Sequence, residues 1–354
     1  MVFFSKKKRC ESVQSSSYSI ASSRTLSRSS SFLDEKPFKV LLVGQIYQDT
    51  ILKVDAYPQE DSKSQSVQQM RCGGNCVNTA EVLVQFSRTC PYVMSAVGPK
   101  ETTAMLLTQL ESKGIKTSTC YHRKQPTPSC YIISTQQTGS RTIISCNTIQ
   151  GITKDEFARR LEMNKISKTM SLDFDPRQPT FHWAHFEGRN VSDTLLQIDW
   201  IETKAKREGW RDKITISVEI EHPDRPLIDD LVDKGDVVFF SKLYAEKRGY
   251  TNSEDFIRYA QMRCKPGAIL FCTWGAQGAT CSSKIGDILH APAVPCQVVD
   301  CIGAGDTFIA AVIHGLGRGY SLWSTLTFAC ELASRKVSQF GFNQLLMDED
   351  ELIN

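Results

Sequence analysis

The stretch VVDCIGAGDTFIAAVIHGL, residues 298–316, decides the fold and much of the chemistry. Its second half is apolar nearly all round and runs into a glycine cluster, which is typical of a buried helix and its end. Gly303, Ala304, Gly305 and Asp306 stand directly in front of that helix. Small residues at a helix start leave backbone N–H groups and a partial positive charge open to a ligand, and this arrangement suits nucleotide phosphates.

Asp306 is the unexpected residue in this stretch, because a carboxylate beside phosphates repels them. A general base that takes the proton from an attacking hydroxyl is one role that fits. A plain helix cap is the other, and GAGD alone favours neither. The Walker pattern G-x-x-x-x-G-K-[ST] does not occur in the sequence, so we expect no cradle of the P-loop kind.

The rest of the chain indicates the fold around this site. Continuous apolar strand-like runs alternate with amphipathic helical patterns from Phe38 onward, which predicts a mostly parallel sheet covered by helices on both faces. Two segments, 48–58 and 129–146, break the rhythm. They are predicted to be antiparallel strands of a small separate sheet that acts as a lid.

A second glycine element is RCGGNCVNTA, residues 71–80. Asn75 and Asn78 lie three apart at a predicted helix start, where both amides can face one polyhydroxylated ligand. Ordinary N-capping by Asn75 is the alternative, and it is favoured if this element is considered alone.

Composition limits the remaining possibilities. Twelve of the first 31 residues are Ser, and residues 1–36 carry seven Lys or Arg against three Asp or Glu, so we expect a disordered basic tail. With a net charge of +3 for the chain, the remainder carries 3 − 4 = −1, which gives no case for nucleic acid as a partner. No apolar run is long enough for a membrane span or a signal peptide. We predict a cytoplasmic protein, with an organelle transit peptide in the tail as the alternative.

The 13 cysteines include no C-x-x-C pair, so we expect free thiols in a reducing compartment. A zinc site on Cys72 and Cys76 is a weaker alternative, because no partner pair follows at ligand spacing. His182 and His185 of HWAH lie three apart in a predicted strand and therefore on opposite faces, so they cannot share a metal. We predict no site in which the protein alone holds a metal ion.

Together, GGNCVN and DCIGAGD resemble the motifs of the ribokinase, or PfkB, family of carbohydrate kinases, and DAYPQEDS, GSRTI, HFEGRN and SVEIEHP extend the similarity over about residues 38–345. The resemblance implies an α/β fold, a ribokinase-like three-layer αβα sandwich with a mostly parallel central sheet and a β-sheet lid. It also implies these divisions: a tail (1–36), a kinase domain (37–345) with lid strands at about 46–70 and 120–146, and an acidic tail (346–354).

The resemblance also implies roles for individual residues. Asp306 corresponds to the catalytic base, with Gly303, Ala304 and Gly305 as its anion hole. The sugar contacts implied are Asp49, Asp61, Gly74, Asn75, Asn78 and Asp306. The ATP contacts implied are Arg141, Gly275, Ala276, Gln277 and Gly278, together with the GAG residues. Surface roles for Asp49, Asp61 and Arg141 are the alternatives.

The activity implied is transfer of the γ-phosphate of ATP to the 1-hydroxyl of fructose, with Mg²⁺ and, as a further candidate, K⁺. A homodimer through the lid strands is implied as well, with Asp61 reaching toward the partner's site. A kinase for another sugar or a nucleoside, and a sugar-binding regulator with weak turnover, are the alternatives. The chain departs from the family pattern in three places: Cys301 replaces Thr in the signature, Ala276 and Gln277 replace acidic residues in the nucleotide loop, and SKLY at residues 241–244 stands where many relatives carry N-x-x-E.

Overall fold

A strongly apolar strand, β1 (Phe38–Val43), lies in the middle of the molecule, and its side chains alternate between two cores. Val40 and Leu42 enter one core, while Leu41 and Val43 enter the other. A strand buried on both faces must be covered by helices on both sides.

The computed structural model describes residues 37–135, 137, 141–169 and 177–346. The tail at 1–36 and nearly all of 346–354 lie outside the described residues.

The central sheet has eight strands, of which six neighbouring strands run parallel. The last two strands at one edge pair in antiparallel fashion, a feature that the alternating pattern did not predict. In spatial order the strands are β14 (Ile288–Ala291), β13 (Ala279–Ser282), β12 (Ile269–Thr273), β11 (Val237–Phe240), β10 (Thr215–Ile220), β9 (Trp183–Glu187), β1 and β4 (Thr89–Met94).

Helices cover the sheet on both faces, and the predicted αβα sandwich is confirmed. One layer consists of α1 (Asn75–Leu83), α2 (Lys100–Ser112), α7 (Ala304–Gly317) and α8 (Leu322–Val337). The other consists of α3 (Lys154–Thr169), α4 (Val191–Glu208), α5 (Lys242–Lys247) and α6 (Ser253–Gln261). No helix within the described ranges is both long and apolar enough to span a bilayer.

A separate four-stranded sheet forms the lid. Its spatial order is β3 (Val67–Gly73), β2 (Tyr47–Val54), β7 (Ser129–Thr135) and β8 (Arg141–Cys146). The pairs β2–β3 and β7–β8 are antiparallel as predicted, but β2 and β7 run parallel. The prediction of antiparallel pairing was therefore wrong at the centre of the lid, because β2 and β7 are joined through the main domain rather than by a hairpin. A short parallel pair, β5 (Ala96–Val97) and β6 (Tyr121–His122), lies apart from both sheets.

The strand order reverses at β1. From β1 the chain moves outward to β4, then returns to the other side of β1 at β9 and proceeds through β10, β11 and β12. In open α/β sheets, ligands bind in the crevice outside the carboxyl ends of the strands at such a reversal. The loops after β1, β9 and β10 therefore mark the place to look for a site.

Candidate active site

The glycine stretch of residues 303–306 forms the start of α7. Gly303 is the N-cap, with φ 80°, and the helix begins at Ala304, so Ala304, Gly305 and Asp306 lie in its first turn rather than ahead of it. Gly303 cannot be replaced easily, because a Cβ there falls 2.3 Å from Cζ of Phe342 and the left-handed φ disfavours side chains. The first-turn N–H groups have no partner within the helix.

Asp306 is almost completely buried and does not cap its helix. Its Oδ2 accepts a hydrogen bond of 2.7 Å from Nδ2 of Asn78 on α1. Burial raises the pKa of Asp306 to about 7, against the lowering effect of the Asn78 hydrogen bond. A carboxyl group that titrates near neutral pH at the bottom of a cleft suits a general base.

The amide of Asn78 is only half satisfied. Among the described residues its buried Oδ1 has no hydrogen-bond partner. A buried acceptor without a donor is costly, so its presence at the edge of a cleft indicates that a ligand hydroxyl completes it. Asn78 can therefore contact the carboxylate and a ligand together, through the two ends of one amide.

Gly305 faces open space. A Cβ built at Gly305 meets no atom of the described residues within 4 Å. Glycine inside a helix costs about 0.5–1 kcal/mol relative to alanine, and no packing at this position requires it. Close approach of a ligand to the backbone is a physical reason for glycine here.

A cluster of charged residues lies beside Asn75 at the end of β10. The Asn75 amide donates to Glu219 and Glu221 at 3.2 Å, and its oxygen accepts from Arg189 at 3.3 Å. Burial first, and then the neighbouring Glu221, raise the pKa of Glu219. The alternative role of Asn75 as the N-cap of α1 is wrong, because Gly74 is the N-cap and the Asn75 amide bonds to these charged side chains instead.

Glu187 joins the two halves of the sheet at the strand reversal. It lies at the end of β9, and its carboxylate accepts from the backbone N–H of Cys76 at 2.6 Å and of Gln45 at 3.2 Å. Arg189 donates to it at 2.9 Å. Because Gly74 has no side chain to cap α1, Glu187 supplies the anion at that helix start. Its one signal in the sequence is the position of a Glu directly after the apolar run FHWAHF, which does not by itself indicate a role.

The remaining predicted sugar contacts divide into two groups. Asp49 on β2 is buried, and its Oδ2 accepts from Nε of Arg71 at 3.3 Å, so it is not a surface charge. Gly74 adopts φ 105°, and a Cβ there lies 2.1 Å from the Gln45 carbonyl oxygen, so this turn requires glycine. Asp61 instead lies exposed in the loop between β2 and β3, with φ 58°.

The predicted nucleotide loop begins where β12 ends. Gly275, Ala276 and Gln277 form a single exposed 3₁₀ turn. The next position requires glycine, because Gly278 has a φ of 93° and a Cβ there would lie 2.0 Å from the Ala291 carbonyl oxygen. Arg141 begins β8, and its side chain lies outside the described part of the structure.

One cavity of about 290 Å³ brings the central residues together. Asn75 and Asn78 line it from α1, and residues 303–306 line it from α7. Ile143 of the lid reaches the same cavity. Further lining residues for which the sequence predicted no role include Glu219, Glu221, Ser241, Thr273 and Ile302. Asp49, Asp61 and residues 275–278 are not among the lining residues of the described chain.

The alternative metal sites find no support. Cys72 and Cys76 are buried free thiols, and burial raises the pKa of both. His185 is buried against Ser217, while Nδ1 of His182 accepts from the backbone of Lys39. Across the described ranges, no group of three or more His, Cys, Asp or Glu side chains is placed to hold a metal ion.

Comparison with known proteins agrees with this geometry. The model of the pfkB family carbohydrate kinases matches residues 38–348. The chain belongs to the PfkB family of carbohydrate kinases. Mouse ketohexokinase is 33% identical over 318 residues, which cover 89% of this chain and 100% of the mouse protein.

Two solved structures show the same fold at low sequence identity. Ribokinase from Thermotoga maritima superimposes with a TM-score of 0.68 at 15% identity, covering 89% of this chain and 98% of that one. Arabidopsis thaliana ribokinase, solved in complex with ribose and ATP, gives a TM-score of 0.66 at 16% identity, covering 90% and 98%. The ribokinase-like fold predicted from the sequence is thus confirmed.

Proposed function

We propose that this PfkB carbohydrate kinase is a ketohexokinase, which transfers the γ-phosphate of ATP to the 1-hydroxyl of D-fructose. The observation that carries the proposal is Asp306: a buried carboxylate with a pKa of about 7, held by Asn78 in the first turn of a glycine-started helix. The similarity to mouse ketohexokinase along its whole length supports a ketose rather than another acceptor.

The reaction follows from the cavity. Asp306 accepts the proton of the acceptor hydroxyl as the oxygen attacks the γ-phosphorus, and the bond to the ADP oxygen breaks in line. The N–H groups of the first turn of α7 stabilise the charge that develops on the transferred phosphoryl group. Asn78 holds the Asp306 carboxylate and accepts from a sugar hydroxyl through Oδ1.

The sugar lies on the side of α1 in this proposal. Asn75 and Asn78 face it from the helix start. Asp49, which is paired with Arg71 and does not line the cavity, would contact the sugar from the lid strand β2. The ATP phosphates lie over Gly305, where the structure leaves room for them. Closure of the lid excludes water and limits wasteful hydrolysis of ATP.

The carboxylates present fit a Mg²⁺ ion bound together with ATP. Glu219 and Glu221 line the same cavity as residues 303–306, and Mg²⁺ prefers one or two carboxylates plus substrate phosphates to an all-protein cage. Their oxygens would hold the ion or its waters. When bound, Mg²⁺ neutralises charge on the phosphates. K⁺ and a contact of Arg141 with the phosphates remain predictions.

The test is ADP release from the purified protein with ATP and Mg²⁺, across fructose, ribose, adenosine and no acceptor. We expect fructose to give the fastest release, and ³¹P NMR to identify the product as fructose 1-phosphate. Faster release with ribose or adenosine points to another kinase of the family. If fructose raises the melting temperature but gives no more ADP than the blank, the protein is a sugar-binding regulator and the proposal fails.

A homodimer through the lid is part of the proposal. One face of the lid sheet carries a row in register across the strands, Met70, Thr50, Tyr131 and Ile144, of which Met70, Tyr131 and Ile144 are about half exposed. Exposed apolar side chains in one row are typical of an interface. Light scattering should give about twice the 39.7 kDa chain mass, and Tyr131→Lys should shift it toward the monomer. A wild-type mass of one chain would contradict the dimer.

A further inference from the structure

Lys336, in the last turn of α8, has a fully buried side chain. A fully buried lysine is rare, because the ammonium loses its hydration. Its burial lowers the pKa of Lys336, and the adjacent Asp300 opposes that effect. An apolar side chain of the same volume often gives equal or greater stability at such a position, so stability alone does not explain the charge.

The ammonium is surrounded by oxygens from two segments. Nζ donates to Oδ2 of Asp300 at 2.9 Å and to the Asp300 carbonyl oxygen at 3.1 Å. A longer contact of 3.4 Å reaches the carbonyl oxygen of Gln339, just beyond the end of α8. The C-terminal end of a helix also favours a cation.

Asp300 connects Lys336 to the backbone just before the glycine stretch at residues 303–305. Its Oδ1 accepts from the backbone N–H of Ile302 at 2.9 Å, while Oδ2 accepts from Lys336. Gly303, the N-cap of α7, is the next residue after Ile302. The backbone N–H groups of Val299 and Asp300 also donate to the carbonyl of Val337, at 2.8 and 3.0 Å. The irregular segment that leads into the anion hole is therefore fixed to the end of α8 by backbone hydrogen bonds and by the Asp300 side chain.

Phe342 supports the same turn from the other side. Its ring lies where a Cβ of Gly303 would be, and Nζ of Lys336 lies 5.3 Å from the ring centroid. A lysine over an aromatic face is attracted by the ring quadrupole. Residues 336–342 thus hold residues 300–303 by one charged contact and one packed ring.

We propose that Lys336 is a positioning residue for phosphoryl transfer. Its ammonium holds Asp300, Asp300 orients the N–H of Ile302, and the α7 amides thereby keep their position under the phosphates. The proposal deepens the kinase function and rests on it. It assigns Lys336 to the nucleotide half of the reaction, and it predicts that sugar binding through Asn75 and Asn78 does not depend on the ammonium.

The test replaces Lys336 by Met, which keeps most of the buried volume and removes the charge. We expect kcat to fall at least ~10-fold, because one misplaced donor in an anion hole costs on the order of 10²–10³-fold. ADP affinity, measured by calorimetry without any sugar, should fall as well, and fructose affinity should change less than ~3-fold. Arg335→Met is the matched control, because Arg335 is the neighbouring cation on α8, is itself partly buried, and pairs with Glu331 one turn earlier rather than with Asp300.

A second variant, Lys336→Ala, leaves a space that propylammonium can fill. Propylammonium should restore part of the lost turnover, and 1-propanol, which has a similar shape but no charge, should not. The inference is overturned if Lys336→Met binds ADP and turns over as Arg335→Met does, or if fructose affinity falls as much as ADP affinity. If Lys336→Ala does not fold, the Met variant decides alone. A wild type without kinase activity would refute the proposed function, while the ADP affinities would still test Lys336.

Discussion

Replacement of Gly305 by Ala should make the protein slightly more stable and much less active. Gly305 lies in the first turn of α7, and its Cβ position is free of protein atoms within 4 Å among the described residues. Alanine is the better helix former by about 0.5–1 kcal/mol, so the melting temperature should rise by about 1 °C in a domain of this size.

Turnover should fall in the same variant. The added methyl group occupies the space over the α7 amides that we assign to the phosphates, so the N–H groups lose contact with the transferred phosphoryl group. Loss of one such donor costs on the order of 10²–10³-fold in kcat. ADP release with saturating fructose measures turnover, and differential scanning fluorimetry measures stability.

Gly303→Ala is the matched comparison, because it lies two residues away and differs in its surroundings. Its φ of 80° and the Phe342 ring 2.3 Å from the added Cβ should lower the melting temperature, and turnover should fall as well. Opposite stability effects with a shared loss of activity are expected. Undiminished turnover in a stable Gly305→Ala variant would refute the assignment of the phosphates to this helix start.

Three further predictions concern charge. Since Asp306 must be ionised to act as a base and burial raises its pKa to about 7, kcat/KM should rise with pH through about 7; a profile flat from pH 5.5 to 8.5 would count against it. A carboxyl group with a raised pKa stabilises the fold at low pH, and this stability is lost as the pH rises through about 7. The melting temperature of Asp306→Asn should therefore exceed that of the wild type by more at pH 8 than at pH 5. An equal difference at the two pH values would contradict this. Glu187→Gln weakens the charge-assisted hydrogen bonds at the start of α1, so urea unfolding should show a loss of about 2 kcal/mol in the free energy of unfolding. An unchanged midpoint would show that Glu187 does not stabilise this helix start.

Much of the fold could be predicted from local pattern. α4 and the strands β9 and β10 before and after it are part of the alternation of strand-like runs and helical patterns that the sequence shows from Phe38 onward. These elements have a clear period of hydrophobic residues, so each short window of sequence contains its own signal. The β2–β7 pairing and the antiparallel edge strands lack such a signal, because they depend on which distant segments meet.

Some residues of the site could likewise be predicted from a local pattern, and others could not. The glycines and Asp306 could be singled out, since they lie in one short stretch of unusual composition. Glu187 and Lys336 could not, because each acts on residues far away in the chain, Glu187 on Cys76 and Lys336 on Asp300. A buried charge in an apolar run indicates a partner but does not identify it.

The central claim is that Asp306 takes the proton from the acceptor hydroxyl, and Asp306→Asn tests it most directly. Asparagine keeps the shape and an acceptor for Asn78 but cannot accept the proton. The measurement is kcat for fructose-dependent ADP release, with fructose affinity determined by calorimetry on the same preparation. The account predicts that fructose affinity stays within ~10-fold while kcat falls at least ~100-fold. Turnover close to that of the wild type would contradict it.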